Sequence, residues 1–73
     1  MMTDTKALEI LRARGYATGT PDVRTGRVRV WIQGSDEAID VQLGRELQDL
    51  AQDKLSFDEI VARREDETVF RAE

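Results

Sequence analysis

Between Arg27 and Leu43 the chain alternates apolar and polar residues twice, on either side of a polar break at Gly34–Glu37. Val28, Val30 and Ile32 point one way, and Arg27, Arg29, Trp31 and Gln33 point the other. After the break, Ile39, Val41 and Leu43 repeat the alternation, with Asp40 and Gln42 opposite. Successive side chains leave opposite faces of a sheet, so a period of two over β-branched residues marks half-buried strands. The spacing predicts an antiparallel hairpin with strands at 27–33 and 38–43.

The second of these runs has a competitor. Ser35 followed by Asp36 and Glu37 also reads as a helix start, with a capping hydroxyl and acids in the first turn. On that register Ile39, Leu43, Leu47 and Leu50 share a stripe, and one helix would cover 36–52. Gly44 in its middle costs about 1 kcal/mol relative to Ala, and Val41 falls off the stripe. The hairpin is the better description.

Helical periodicity flanks this region. Thr3 or Asp4 caps a first helix over 4–14, in which Ala7, Leu8, Ile10 and Leu11 share a face and Gly15 follows the end. Residues 15–26 hold three glycines and the chain's only proline, a loop expected to contain a short strand at 22–24. Thr25-Gly26 would close a tight turn into Arg27, completing a three-stranded meander, and Tyr16 would anchor the end of the first helix.

From Arg45 a second helix carries Leu47, Leu50 and Ala51 on one side, with Arg45 and Asp49 spaced for an i,i+4 pair, and fades at Asp53-Lys54. Leu55 is expected to be buried in the turn that follows. Ser56-Phe57-Asp58-Glu59 is a capping box opening a third helix. That helix would turn Phe57, Ile60, Val61 and the stem of Arg64 inward and pair Glu59 with Arg63 outside. Glu65, Asp66 and Glu67 oppose the helix dipole, so fraying is expected there. Residues 68–73 would form a tail whose Val69 and Phe70 pack on the core or on a neighbour. The expected fold is α+β in a single domain, 1–73: an N-terminal helix, a two- or three-stranded antiparallel meander centred on 27–33 and 38–43, and two short C-terminal helices.

A chain of 73 residues buries only about 60% of the surface its unfolded form exposes, and domains this small are commonly reinforced. With no Cys and no His, disulfides and a zinc site are not available as reinforcement, which leaves self-association as a homodimer. No apolar run has the length of a membrane span or a signal-peptide core, so the chain reads as cytoplasmic and away from membranes. Residues 1–33 carry six basic and three acidic side chains, and residues 34–73 carry five and twelve. Such an asymmetry suits docking against a partner of opposite charge or against another copy.

The residues do not assemble an enzyme. Without His or Cys a catalytic base would have to be a carboxylate, Lys or Tyr, and no nucleophile stands beside one in a productive pattern. No cofactor motif is present, and Asp36, Glu37 and Asp40 read as solvated turn carboxylates rather than metal ligands. With Glu65, Asp66 and Glu67 they form a candidate acidic surface, which would suit an inhibitor mimicking nucleic acid.

Two element orders have counterparts. Residues 39–64, an alternating run and two helices, resemble ribbon-helix-helix repressors, which implies an intertwined dimer whose strand residues enter the major groove of DNA. Here those residues would be Asp40 and Gln42, and an acid there is repelled by phosphate. Helix–strands–helix is also similar in order and length to the double-stranded RNA-binding domain. The basic cluster that family places at the start of its last helix would fall at 44–49, which reads GRELQD.

The surface with the clearest binding chemistry is the outward face of the first strand: Arg27, Arg29, Trp31 and Gln33. Arg and Trp are the residue types most enriched at interaction hot spots, and a guanidinium can stack on the indole. The alternative for Trp31 is burial under the first helix, with Arg27 and Arg29 at the rim. The leading expectation is a self-associating protein-interaction module that binds another protein or itself through this face. A small DNA-binding regulator or antitoxin-like dimer comes second, with the acidic mimic third.

Overall fold

The computed structural model describes residues 2–71, with side chains over 2–67. Thr3 is the N-cap of helix α1 (Asp4–Ala13), its Oγ1 accepting the Lys6 amide at 3.1 Å. Gly15 follows at φ 99°, a left-handed conformation that ends helices and suits glycine. The chain turns there directly into strand β1 (Tyr16–Thr18), followed by β2 (Arg27–Ile32) and β3 (Ala38–Gln42). The three strands form one antiparallel sheet in the order β1-β2-β3. Helices α2 (Arg45–Ala51) and α3 (Phe57–Arg71) complete an α+β fold.

The hairpin at Arg27–Gln42 is therefore real, and residues 36–52 do not form one helix. The third strand lies earlier than the 22–24 expected. Asp22 accepts the amides of Gly26 at 2.9 Å and Arg27 at 3.3 Å on its carbonyl, and that of Arg24 at 2.9 Å on its carboxylate. An aspartate that bends its own backbone in this way consumes 22–26 as a turn. Only an isolated bridge to Arg27 remains of the expected strand, and the pairing shifts to Tyr16–Thr18. Tyr16 is half-buried there and stacks on Phe57, ring centroids 6.0 Å apart.

One face of the sheet supplies Val28, Val30, Ile39 and Val41 to the core. Against them lie Ala7, Leu8 and Leu11 of α1, Leu47, Leu50 and Ala51 of α2, Leu55, and Ile60 of α3. α1, α2 and the start of α3 thus share one side of the sheet. Asp4 ties two of them together: its Oδ1 accepts the Gly44 amide at 2.9 Å, at the N-terminus of α2. The opposite end of α2 closes with Asp53 at φ 62°. The Asp53 amide reaches Leu50 O at 3.3 Å and the Lys54 amide reaches Asp49 O at 2.9 Å, the bond pattern of a Schellman motif. Arg14 completes that end by donating to Ala51 O at 3.1 Å and pairing with Asp53.

Helix α3 is longer than the short helix expected, and its acids do not end it. Ser56 accepts the Glu59 amide at 3.1 Å and donates its hydroxyl to Glu59 Oε1 at 3.2 Å, a variant of the capping box. Arg63 leaves Glu59 aside and pairs with Glu46 of α2 at 3.1 Å. Arg64 reaches the same carboxylate oxygen at 3.0 Å and Glu67 at 3.2 Å, and Glu67 also accepts from Arg27 at 3.0 Å. These pairs hold the middle of α3 against the sheet where fraying was expected. The side chains of Val69 and Phe70 lie outside the described residues.

The same network closes an edge of the sheet. Arg64 donates to Asp40 O at 3.3 Å, and the Gln42 amide donates to Glu46 Oε1 at 2.9 Å. Backbone groups that would otherwise invite another strand are thereby engaged. β3 is paired with β2 of its own chain on one side and braced by side chains on the other. That geometry departs from the intertwined ribbon implied by the ribbon-helix-helix resemblance.

Candidate interaction face

Because Val28 and Val30 point into the core, strand parity sends Arg27, Arg29 and Trp31 to the opposite face, away from the core residues of the helices except at Arg27, which Glu67 of α3 reaches at 3.0 Å. The register arranges this face in three rows. Trp31 pairs with Ala17 on β1 and with Ala38 on β3. Arg29 pairs with Asp40, and its carbonyl accepts the Gly19 amide at 2.8 Å. Arg27 pairs with Gln42. Cross-strand neighbours of this kind are close enough for their side chains to interact directly.

In the first row, small residues flank the indole. A Cβ placed on Gly19 would meet Arg29 Cβ at 3.7 Å and the Trp31 ring at 4.0 Å, so the ring leans toward β1. Ala38, on the β3 side, is exposed. Trp31 is half-buried and is not part of the hydrophobic core cluster. An expected burial of Trp31 beneath the first helix does not occur, because α1 lies on the other side of the sheet.

The second row is an ion pair. Arg29 Nε lies 3.5 Å from Asp40 Oδ1, with 66% of the arginine and 47% of the aspartate side chain exposed. At that exposure the pair is held weakly and each charge remains available to another partner. The third row is more constrained, since Arg27 is committed to Glu67 and only 28% exposed. Beside these rows, Thr20, Asp22, Thr25, Arg27, Arg29 and Asp40 line an open depression of about 600 Å³. Two guanidiniums face two carboxylates there, so its walls are balanced in charge.

The sequence-derived candidates separate in space. Arg29 and Trp31 occupy the centre of the face, Arg27 lies at its braced end, and Gln33 lies one residue beyond β2 in the turn, exposed. The six acids do not form one surface. Asp36 and Glu37 are exposed in the turn between β2 and β3, and Asp40 belongs to the arginine row. Glu65 and Asp66 are exposed on α3, and Glu67 is engaged by Arg27 and Arg64. Among the described residues no cluster of carboxylates is placed to hold a metal ion, and no helix is long and apolar enough to cross a membrane.

Three contributors escaped notice in the sequence. Ala17 and Ala38 matter because of the register, which alternation alone does not specify. Glu46 is buried, with 7% of its side chain exposed, and holds two arginines. Its signal was present: Leu43, Glu46, Leu47 and Leu50 recur at helical spacing, which places an acid on the apolar stripe. No family model, curated protein or solved structure matches the chain.

Proposed function

We propose that this chain is a non-enzymatic protein-interaction module that binds another protein, or a second copy of itself, through the outer face of its sheet. Arg29 and Trp31 form the centre of the contact, with Arg27 and Gln33 at its ends. What carries the reading is the placement of the chain's only tryptophan on the side of the sheet away from the core. An indole gains most from burial, and one left at a solvent-facing position beside an exposed guanidinium matches the composition of binding hot spots. The carboxylate partners of Arg27 and Arg29 also favour a protein partner over a polyanion, because phosphate-driven affinity needs guanidiniums without local neutralisation.

The test compares wild type, Trp31→Ala and the control Glu9→Ala on the exposed side of α1. Thermal melting is followed alongside association, by sedimentation or by partner capture. The expected result is a melting temperature within a few degrees of wild type and lost association for Trp31→Ala alone. A large loss of stability with association intact would overturn the proposal. So would tight binding to mixed-sequence duplex DNA that falls steeply with salt.

A further inference from the structure

We infer that the occupant of this face is a second copy of the chain, stacked sheet to sheet about a two-fold axis running along the strands between β2 and β3. The inference rests on the reading of the outer face as a binding surface, and names its partner. A two-fold in that position lays β2 of one copy over β3 of the other and keeps every residue in its own row. Each of the three rows then becomes complementary to itself. Arg29 meets Asp40 of the second copy, and Asp40 meets its Arg29. Trp31 comes over the exposed shelf at Ala38, and Arg27 faces Gln42.

Neighbouring in-plane axes suit this surface less. A two-fold along β2 itself would set Arg29 against Arg29, and one across the strands through the middle row would do the same and set Trp31 against Arg27. Isologous contacts require a surface to complement itself. A cation on one strand opposite an anion on the next, above a large residue opposite a small one, is such a surface. Aligned stacking is also a common way for two sheets to pack.

Size sets the strength. The axis leaves β1 outside the overlap, so two strands at about 4.8 Å spacing and five ladder residues at about 3.3 Å rise give a patch of about 10 by 17 Å. That is smaller than the ~800 Å² per partner of stable complexes, so the dimer is weak and reversible, in the micromolar range or above. Its central ion pairs make it weaken as salt rises.

Sedimentation equilibrium from micromolar to millimolar concentration provides the test, on wild type, Arg29→Asp, Asp40→Arg and an equimolar mixture of the two variants. Wild type is expected to dimerise, and each variant alone to lose at least about tenfold in association, because like charges then meet across the axis. The mixture is expected to recover as a heterodimer, since each clash in one variant is answered by the other. A mixture that remains monomeric overturns the inference, as does association that persists in both single variants. Wild type that stays monomeric into the millimolar range also overturns it. In that case a Trp31 accessible to quencher, with Trp31→Ala still folded, leaves the binding face standing for a different partner; an inaccessible Trp31 removes the face as well.

Discussion

Glu46 is the residue on which most of the tertiary arrangement of α3 converges. One carboxylate oxygen accepts the Gln42 amide and the other takes both Arg63 and Arg64. Its side chain is nearly inaccessible, so the carboxylate has exchanged water for these donors. Removing it leaves the Gln42 amide without this acceptor and takes from the largely buried Arg64 guanidinium one of its two carboxylates, which costs more than the assembled group contributes. Glu46→Ala is therefore expected to destabilise the fold by about 3 kcal/mol in urea denaturation. Glu46→Gln, which keeps an acceptor for one donor, is expected to cost less. Trp31→Ala forms the contrast: a larger side chain is lost, yet stability changes little, because the ring lies outside the core. If Trp31→Ala cost more than Glu46→Ala, the assignment of the two faces would be reversed.

At the scale of elements, Gly44 joins the sheet to α2 with φ 87° and ψ −125°. Few residues other than glycine adopt that backbone region, and its amide is held by Asp4 of α1. Gly44→Ala is expected to cost about 1–3 kcal/mol in thermal or urea unfolding, without changing how the outer face associates. The junction also marks where sequence reasoning succeeds and where it stops. Val28 and Val30 on one side of β2, with Arg29 and Trp31 on the other, are legible from alternation because parity alone decides the face. The glycine at 44 correctly broke the competing long helix, since its conformation belongs to no helix interior. What alternation could not give was register: the pairing of Arg29 with Asp40 and of Trp31 with Ala38 depends on how many residues the turn takes, and Gln33 joins that turn. Nor could local rules anticipate Asp22 folding its own segment into a turn, or Arg27 and Arg64 holding Glu67 so that α3 continues past its acids. In both cases a side chain supplied a partner that propensity does not count.

For the molecule as a whole, a single sheet face holds the core and the other faces outward, with both charges and the only tryptophan on it. The division by halves seen in the sequence is thus redistributed in space: cations from the first half and anions from the second meet on the same surface, at Arg29–Asp40 and Arg27–Glu67. Net charge is a poor guide to such a surface, because the face is nearly neutral while the chain carries −4. A small domain whose second sheet face lies away from its core gains apolar burial when a second sheet stacks on it. Self-association through this face would therefore also raise apparent stability with protein concentration.

Trp31 is the chain's only tryptophan, so indole fluorescence reports on this face with no background from elsewhere. The most direct measurement follows its emission maximum and acrylamide quenching across a dilution series of wild type and Asp40→Arg. In dilute wild type the indole should emit as a partly solvated ring open to quencher, then shift to the blue and become protected as concentration rises. Asp40→Arg should remain in the dilute state throughout. An emission that is blue and protected at every dilution, in both proteins, would place Trp31 in a core and contradict the binding face.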